Sequence, residues 1–322
     1  MQKQIKIIPY KNSLKEVWNN FLVECCQATF LHSRDYLDYH KDRFIERSLI
    51  IKIDNKIAAL FPAAEEKNKM NVIVSHPGIT YGGLLFPRTI YGETLNQIFK
   101  EIFKFFFLSG IKEIVYKSVP IIYHESPSQD DIHCLICNGA KIIRTDLSCS
   151  IDLQNQPFIH LRRRRSLKNA RKYQLVIFNG FEEIEECWNV LTENLSSKFG
   201  KKPVHNIDEI LYLHNLFPQN MDCYAVKFEK NIVASVLIYK TKLTWHAQYI
   251  SSSIVGKKVN ALDFIFNHII ECAKEKSIRW FDFGISTESE GLVLNNSLYT
   301  FKHEFGGGGT LCQFFSIKNK KI

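Results

Sequence analysis

The chain has 322 residues, 45% of them hydrophobic and 24 of them Phe. That is enough for two cores of ordinary size and too apolar for a disordered protein. No apolar run reaches the ~18 residues of a membrane-spanning helix, and the opening MQKQIKIIPY lacks the apolar core and cleavage site of a secretory leader. The formal charge of +9 points to an anionic partner, such as a nucleotide, a phosphorylated carrier, RNA or an acidic membrane face.

Nine cysteines fit a reducing compartment, so a cytoplasmic protein is expected, with peripheral contact with the inner membrane face as an option. Cys134 and Cys137 form a C-x-x-C pair, but no second pair or His pair stands at zinc spacing, and no metal is expected.

In chain order, Trp18-Asn19 opens an apolar helical stretch and HSRDYLDY follows from His32. Residues 48–64, SLIIKIDNKIAALFPAA, alternate apolar and polar around Asp54-Asn55 and read as a β-hairpin. A strand closed by His76 leads into the loop GITYGGLLFPRT, an amphipathic helix over 92–109 and the strand KEIVYKSV. A further short helix lies in SQDDIHCLICNGA. Then LRRRRSLKNARK, residues 161–172, carries seven basic residues in the eleven from Arg162 to Lys172. Helical spacing puts Arg164, Arg165, Lys168, Arg171 and Lys172 on one face and leaves Leu167 and Ala170 as a narrow apolar seam.

The same order then recurs. Trp188-Asn189 stands 170 residues after Trp18-Asn19, and HNIDEILY from His205 matches HSRDYLDY at an offset of 173. The hairpin CYAVKFEKNIVASVLIY, 223–239, turns at Glu229-Lys230. A strand with His246, the loop SSSIVGKKVN, a helix over 260–276 and the strand RWFDFGIS complete the match. Offsets held within such a narrow range across six elements indicate duplication, against the alternative of one large α/β domain. The expected fold is α/β (α+β), with two copies of a mixed, largely antiparallel sheet flanked by helices. They would span residues 1–155 and 156–322, with the last strand able to pack back on the first domain.

The element order resembles the GNAT acyltransferase fold, and the tandem pair is similar to the Fem-type (FemAB-like) acyltransferases. TFLHSRDYL, SHPGITYGGLL, RRRRSLKNARKYQL, QYISSS, FDFGIST and LNNSLYTFKHEFGG carry the likeness. It is closest to the members found among bacterial surface-polysaccharide functions. It implies an N-acyltransferase that takes an acyl group from acyl-CoA to an amine on a cell-envelope or polysaccharide precursor, an anionic small molecule or lipid-linked acceptor. The alternatives are aminoacyl transfer from charged tRNA and an inactive basic binding module.

The resemblance implies that donor phosphates rest on the loop before the second helix. Ser253, Gly256, Lys257 and Lys258 stand there, with one glycine where the usual loop has two. GNAT domains often carry Asn, then Tyr seven positions on, then Gly four beyond. Asn295, Lys302 and Gly306 keep that spacing with Lys for Tyr, and Phe301-Lys302 matches a Phe-Lys pair tied to the reacting centre of Fem-type enzymes. Lys302 can bind an oxyanion or protonate a leaving group; the alternative is a solvated helix lysine. Asp282, flanked by aromatics, would have a raised pKa as a general base, or would cap a turn or pair with Lys302. His246 is a second candidate base or a core histidine, with Gln248 and Ser286 beside these positions. In the first half His32, Arg34, His76, Tyr81 and Gly82 would line the matching cleft, which lacks the lysine helix and would bind the acceptor. Arg165 and its cationic neighbours would meet acceptor phosphates, tRNA or a lipid surface.

Overall fold

The computed structural model describes residues 4–40, 42–155 and 158–319, apart from the side chains of residues 198 and 199. Two compact units divide the chain. The first takes residues 1–146, 289–293 and 311–322, and the second takes 147–288 and 294–310. The division falls inside a strand, ahead of the expected boundary at 155, and residues 311–322 belong with the first unit.

In chain order the elements are β1 (Ile5–Pro9), α1 (Lys15–Leu22), α2 (Arg34–Asp38), β2 (Phe44–Glu46), β3 (Leu49–Ile53), β4 (Lys56–Phe61), β5 (Ala64–Glu66), β6 (Val72–Val74), α3 (Gly92–Leu108), β7 (Glu113–Lys117), α4 (Asp130–Cys137) and β8 (Lys141–Asp152). There follow α5 (Leu161–Ala170), β9 (Leu175–Asn179), α6 (Ile184–Phe199), α7 (Ile207–Leu216), β10 (Met221–Phe228), β11 (Asn231–Lys240), β12 (Thr244–Ser252), α8 (Ile254–Lys258), α9 (Ala261–Glu275) and β13 (Trp280–Ile285). The short strands β14 (Thr287–Glu288) and β15 (Val293–Leu294), the helix α10 (Asn296–His303) and β16 (Gly308–Lys318) close the chain. None of the described helices is long and apolar enough to cross a membrane.

In the first unit the hairpin β3–β4 turns at Asp54 (φ 47°) and Asn55 (φ 66°), the left-handed pair that a two-residue hairpin with the strand twist requires. Pro62 interrupts the chain just after β4. A proline cannot donate to a ladder, and the hairpin joins β1 in a sheet of its own, order β1-β3-β4, apart from the strands β2-β5-β6-β7-β16. The core is closed by α3, whose Leu95, Ile98, Phe99, Ile102, Phe103 and Phe106 repeat at helical spacing.

The parallel pair β6–β7 is registered only from Val72↔Glu113 to Val74↔Val115, and the loop that follows folds back against its end. The Ser75 hydroxyl accepts from Lys117 N at 2.7 Å, and Gly82 N donates to the Lys117 carbonyl at 3.1 Å. A Cβ on Gly82 would lie 1.8 Å from the Ser75 carbonyl oxygen, so only glycine lets the two backbones touch. His32 is wholly buried, accepts the Thr29 amide at Nδ1 and meets the Gly82 carbonyl through Nε2 at 3.1 Å; burial holds its pKa down to about 4. Tyr81 is buried against Tyr123. Arg34 lies over the Tyr10 ring at 3.6 Å and bridges Asp38 and Glu46. His32, Arg34, Tyr81 and Gly82 are buried in internal contacts, and the loop that carries Tyr81 and Gly82 folds against the end of the strand pair.

Replacing Gly82 by Ala forces the Ser75 backbone to move. The expected cost is about 2–3 kcal/mol, read as a lower denaturant midpoint. An unchanged midpoint would mean the loop does not hold this position.

Candidate active site

In the second unit the strands run β8-β13-β12-β11-β10-β9. All neighbours are antiparallel except β12 and β13, which pair in parallel from Thr244↔Trp280 through His246↔Asp282 and no further. Past that point the two strands separate, leaving a fork with His246 and Asp282 at its vertex.

Alternation decides which way these residues face. Trp245, Ala247, Phe281 and Phe283 enter the core under α9, so His246 and Asp282 point to the other side. The register jumps from Ile238↔Ala247 to Leu237↔Tyr249, so Gln248 is the extra residue of a β-bulge. Without it Tyr249 would share the core face of Ala247. With it, Tyr249 and Ser251 line a small cavity of about 10 Å³ with Trp188 and Cys187 of α6, room for a single water.

Asp282 is 3% exposed and fully engaged. Its Oδ1 accepts from the hydroxyls of Ser148 at 2.5 Å and Ser150 at 2.9 Å, and its Oδ2 lies 2.7 Å from His246 Nδ1. Burial alone would raise its pKa; the bonds from His246, Ser148 and Ser150 outweigh burial and hold it below the usual carboxylate value. The expected raised pKa is therefore corrected, and Asp282 is not a base waiting for a proton. An ionised carboxylate only accepts, so the hydrogen between the pair sits on Nδ1, and Nε2 is the ring nitrogen left to meet a ligand. His246 is the third residue of β12.

Gly284 and Ile285 lie two and three residues past the vertex. Gly284 is left-handed (φ 77°), and a Cβ there would come within 3.3 Å of the His246 ring. Both carbonyls are turned onto Lys302 Nζ, at 2.9 Å and 2.7 Å. Lys302 is 3% exposed, not a solvated helix lysine, and forms no ion pair with Asp282. Burial presses its pKa down to about 8, with Asp282 opposing the shift. Two of its three N–H bonds are used, and one is left for a ligand. It is carried by α10, which Asn295 caps by accepting Leu298 N at 3.1 Å, while the Asn295 amide donates to Glu288. Gly306 (φ 96°) ends that turn. Asn295 is thus a structural cap. Ser286 Oγ and Gln248 Oε1 are buried with no hydrogen-bond partner among the described residues, which leaves them open to a ligand.

The loop expected to receive donor phosphates is a helical turn. Ser253 Oγ accepts Gly256 N at 3.0 Å, and a Cβ on Gly256 would meet the Val233 carbonyl at 2.1 Å. The glycine serves the packing of α8 on β11. Lys257 and Lys258 are exposed. Among the described residues no cluster of three or more His, Cys, Asp or Glu could hold a metal.

The corresponding pair in the first unit carries no such chemistry. Val72↔Glu113 and Thr244↔Trp280 each open a parallel ladder, and two residues on stand Val74↔Val115 in one unit and His246↔Asp282 in the other. The structural counterpart of His246 is Val74. His76 lies beyond the end of β6, at φ 59° and buried with its Nδ1 unpartnered, and burial lowers its pKa well below the ordinary value.

Residues 160–293 match the family model of the acetyltransferase (GNAT) domain. The chain has a GNAT fold. No curated protein matches it in sequence. Among solved structures it is similar to FemX, with a TM-score of 0.70 at 10% identity over 98% of this chain and 97% of the other. L-PGS of Bacillus licheniformis, a lysylphosphatidylglycerol synthetase, gives 0.61 at 16% identity, over 98% and 94%. A tandem GNAT protein from the clavulanic acid biosynthesis pathway gives 0.53 at 10% identity, over 99% and 100%.

Sequence reasoning missed two groups around the GNAT fork. Ser148 and Ser150 alternate with buried Cys149 and Ile151 on β8, a period-two pattern that marks them as facing one way. Arg163, inside the charged run, turns inward. Its Nη1 meets Asp263 at 2.7 Å, its Nε meets Glu304 at 3.1 Å, and it lies over the Phe301 ring at 4.9 Å. Phe301 is occupied by that contact and by Phe305 and Phe266. Burial raises Asp263 to about 6, with Arg163 pulling against it. Arg163→Met should cost about 3 kcal/mol by stranding the carboxylates. In urea unfolding the loss should be smaller at pH 5, where Asp263 holds its proton, than at pH 8. Equal losses would remove Asp263 from the account.

Proposed function

We propose that this GNAT-fold chain is an N-acyltransferase of the Fem-like kind, with its reaction centre at the β12–β13 fork of the second unit. The observation that carries the reading is the pair of buried Asp282 and half-buried His246 at the vertex, beside a buried lysine with one free N–H. Acyl transfer to an amine needs a base, an oxyanion donor and a path for the leaving group. His246, its ring held by Asp282, takes the amine proton as nitrogen attacks the acyl carbonyl. Lys302 donates its remaining N–H to the oxygen that gains charge. As the tetrahedral species collapses, the proton held on His246 is available to the departing sulfur or oxygen.

The donor we favour is an acyl thioester, acyl-CoA, and the acceptor an amine on a cell-envelope or polysaccharide precursor such as a nucleotide-linked amino sugar. Nine free cysteines suit the reducing interior in which such a donor is found. A second donor, an aminoacyl ester of tRNA, draws support from the end-to-end likeness to a lysylphosphatidylglycerol synthetase, a protein whose name carries an aminoacyl group.

Acetyl-CoA and aminoacyl-tRNA separate the donors. A ligand at ~100 times its Kd adds about 2.7 kcal/mol of stability, so acetyl-CoA should raise the Tm. A shift with aminoacyl-tRNA alone would transfer the reading to the second donor. His246→Ala should lower kcat by roughly 10²–10⁴ and Lys302→Ala by roughly 10²–10³, with the fold intact by circular dichroism. Full activity in either would remove that residue from the mechanism.

The pH dependence follows from Lys302. Its pKa is lowered from 10.5 to about 8, so the ammonium dominates at pH 7 and is lost as pH rises through that value. Activity should fall above about pH 8, and Lys302→Arg should remove that fall. An alkaline limb unchanged in Lys302→Arg would mean another group sets it.

A further inference from the structure

Arg162 and Arg163 divide the basic helix α5 into two faces. Arg162 meets Glu304 at 2.7 Å, Arg163 bridges Glu304 and Asp263, and Ala170 is fully buried on the same side. At 3.6 residues per turn the opposite side gathers Leu161, Arg164, Arg165 and Lys168, with Arg171 and Lys172 in the turn beyond. All six are exposed. None of these five cations has an acidic partner at ion-pair distance among the described residues, so the cluster pays its own repulsion.

Apolar side chains stand within this charge. Leu161 is 52% exposed and falls in the middle of the cationic arc, and Phe158, 63% exposed, lies under the Arg164 guanidinium at 4.5 Å.

We propose that this face of the second unit docks on an anionic lipid bilayer. The cations would meet lipid phosphates, and Phe158 and Leu161 would enter the headgroup region. The exposed apolar side chains decide for lipid over RNA. A phosphate backbone rewards the arginines but offers nothing to Leu161, whereas an interfacial helix uses both kinds of residue. Docking is independent of whether the fork transfers acyl groups.

The test is sedimentation with vesicles of phosphatidylglycerol and phosphatidylcholine against vesicles of phosphatidylcholine alone, using the full chain. Binding is expected to the anionic vesicles only and to weaken between 0.1 and 0.5 M salt, by order of magnitude. Charge reversal at Arg164, Arg165 and Lys168 should weaken it by more than about tenfold. Phe158→Ser with Leu161→Ser keeps every charge and should also weaken it by about tenfold. Absence of binding to anionic vesicles overturns the proposal. So does binding indifferent to the Phe158 and Leu161 pair, or a face that binds tRNA and no vesicle.

Discussion

The buried carboxylate of Asp282 constrains the rest of the second unit. An ionised group at 3% exposure persists only where hydrogen-bond donors compensate its charge, because it would otherwise take up a proton. Three donors supply that compensation: Ser148 and Ser150 from β8, and His246 from β12. Each must come from a strand adjacent to β13, which ties the register of β8 and β12 to one atom pair. The same requirement fixes the histidine tautomer. The structural need, and the chemical one we propose, are met by the same three bonds.

The first unit illustrates what happens when that requirement is absent. Val74 and Val115 sit across from each other in the equivalent ladder, where hydrophobic packing suffices and no donor is needed. The loop after β6 folds onto the strand ends, and Gly82 takes a position that no other residue could occupy beside Ser75. Lys117 ends β7 in the place where Gly284 stands in β13; its Nζ also turns onto backbone carbonyls, those of His76 and Ile79, and burial lowers its pKa to about 7. Both units bury a lysine on carbonyls. Only in the second does it stand beside an aspartate and a histidine.

Much of this was legible in the sequence, for reasons particular to each feature. Alternation around Asp54-Asn55 and Glu229-Lys230 marked both hairpins because their turns need left-handed backbone, and the spacing of Leu95, Ile98 and Phe99 marked α3. The Asn295–Lys302–Gly306 spacing located the lysine. The state of the carboxylate was not legible, because the serines that hold it lie more than 130 positions away in the chain. Matching His76 to His246 failed for a related reason. Residue identity aligned them, but the ladder register aligns His246 with Val74. In the charged run, composition could not distinguish Arg163, which pairs inward, from Arg165, which faces solvent. Only the carboxylates of Asp263 and Glu304 make that distinction.

The claim that Asp282 works through His246 is tested most directly by a double-mutant cycle on acyl transfer to an amino sugar, with Asp282→Asn, His246→Ala and the double variant. If Asp282 acts only by orienting and polarising the ring, the double variant transfers at the same rate as His246→Ala alone. Losses in kcat that multiply would contradict the account and make Asp282 an independent participant.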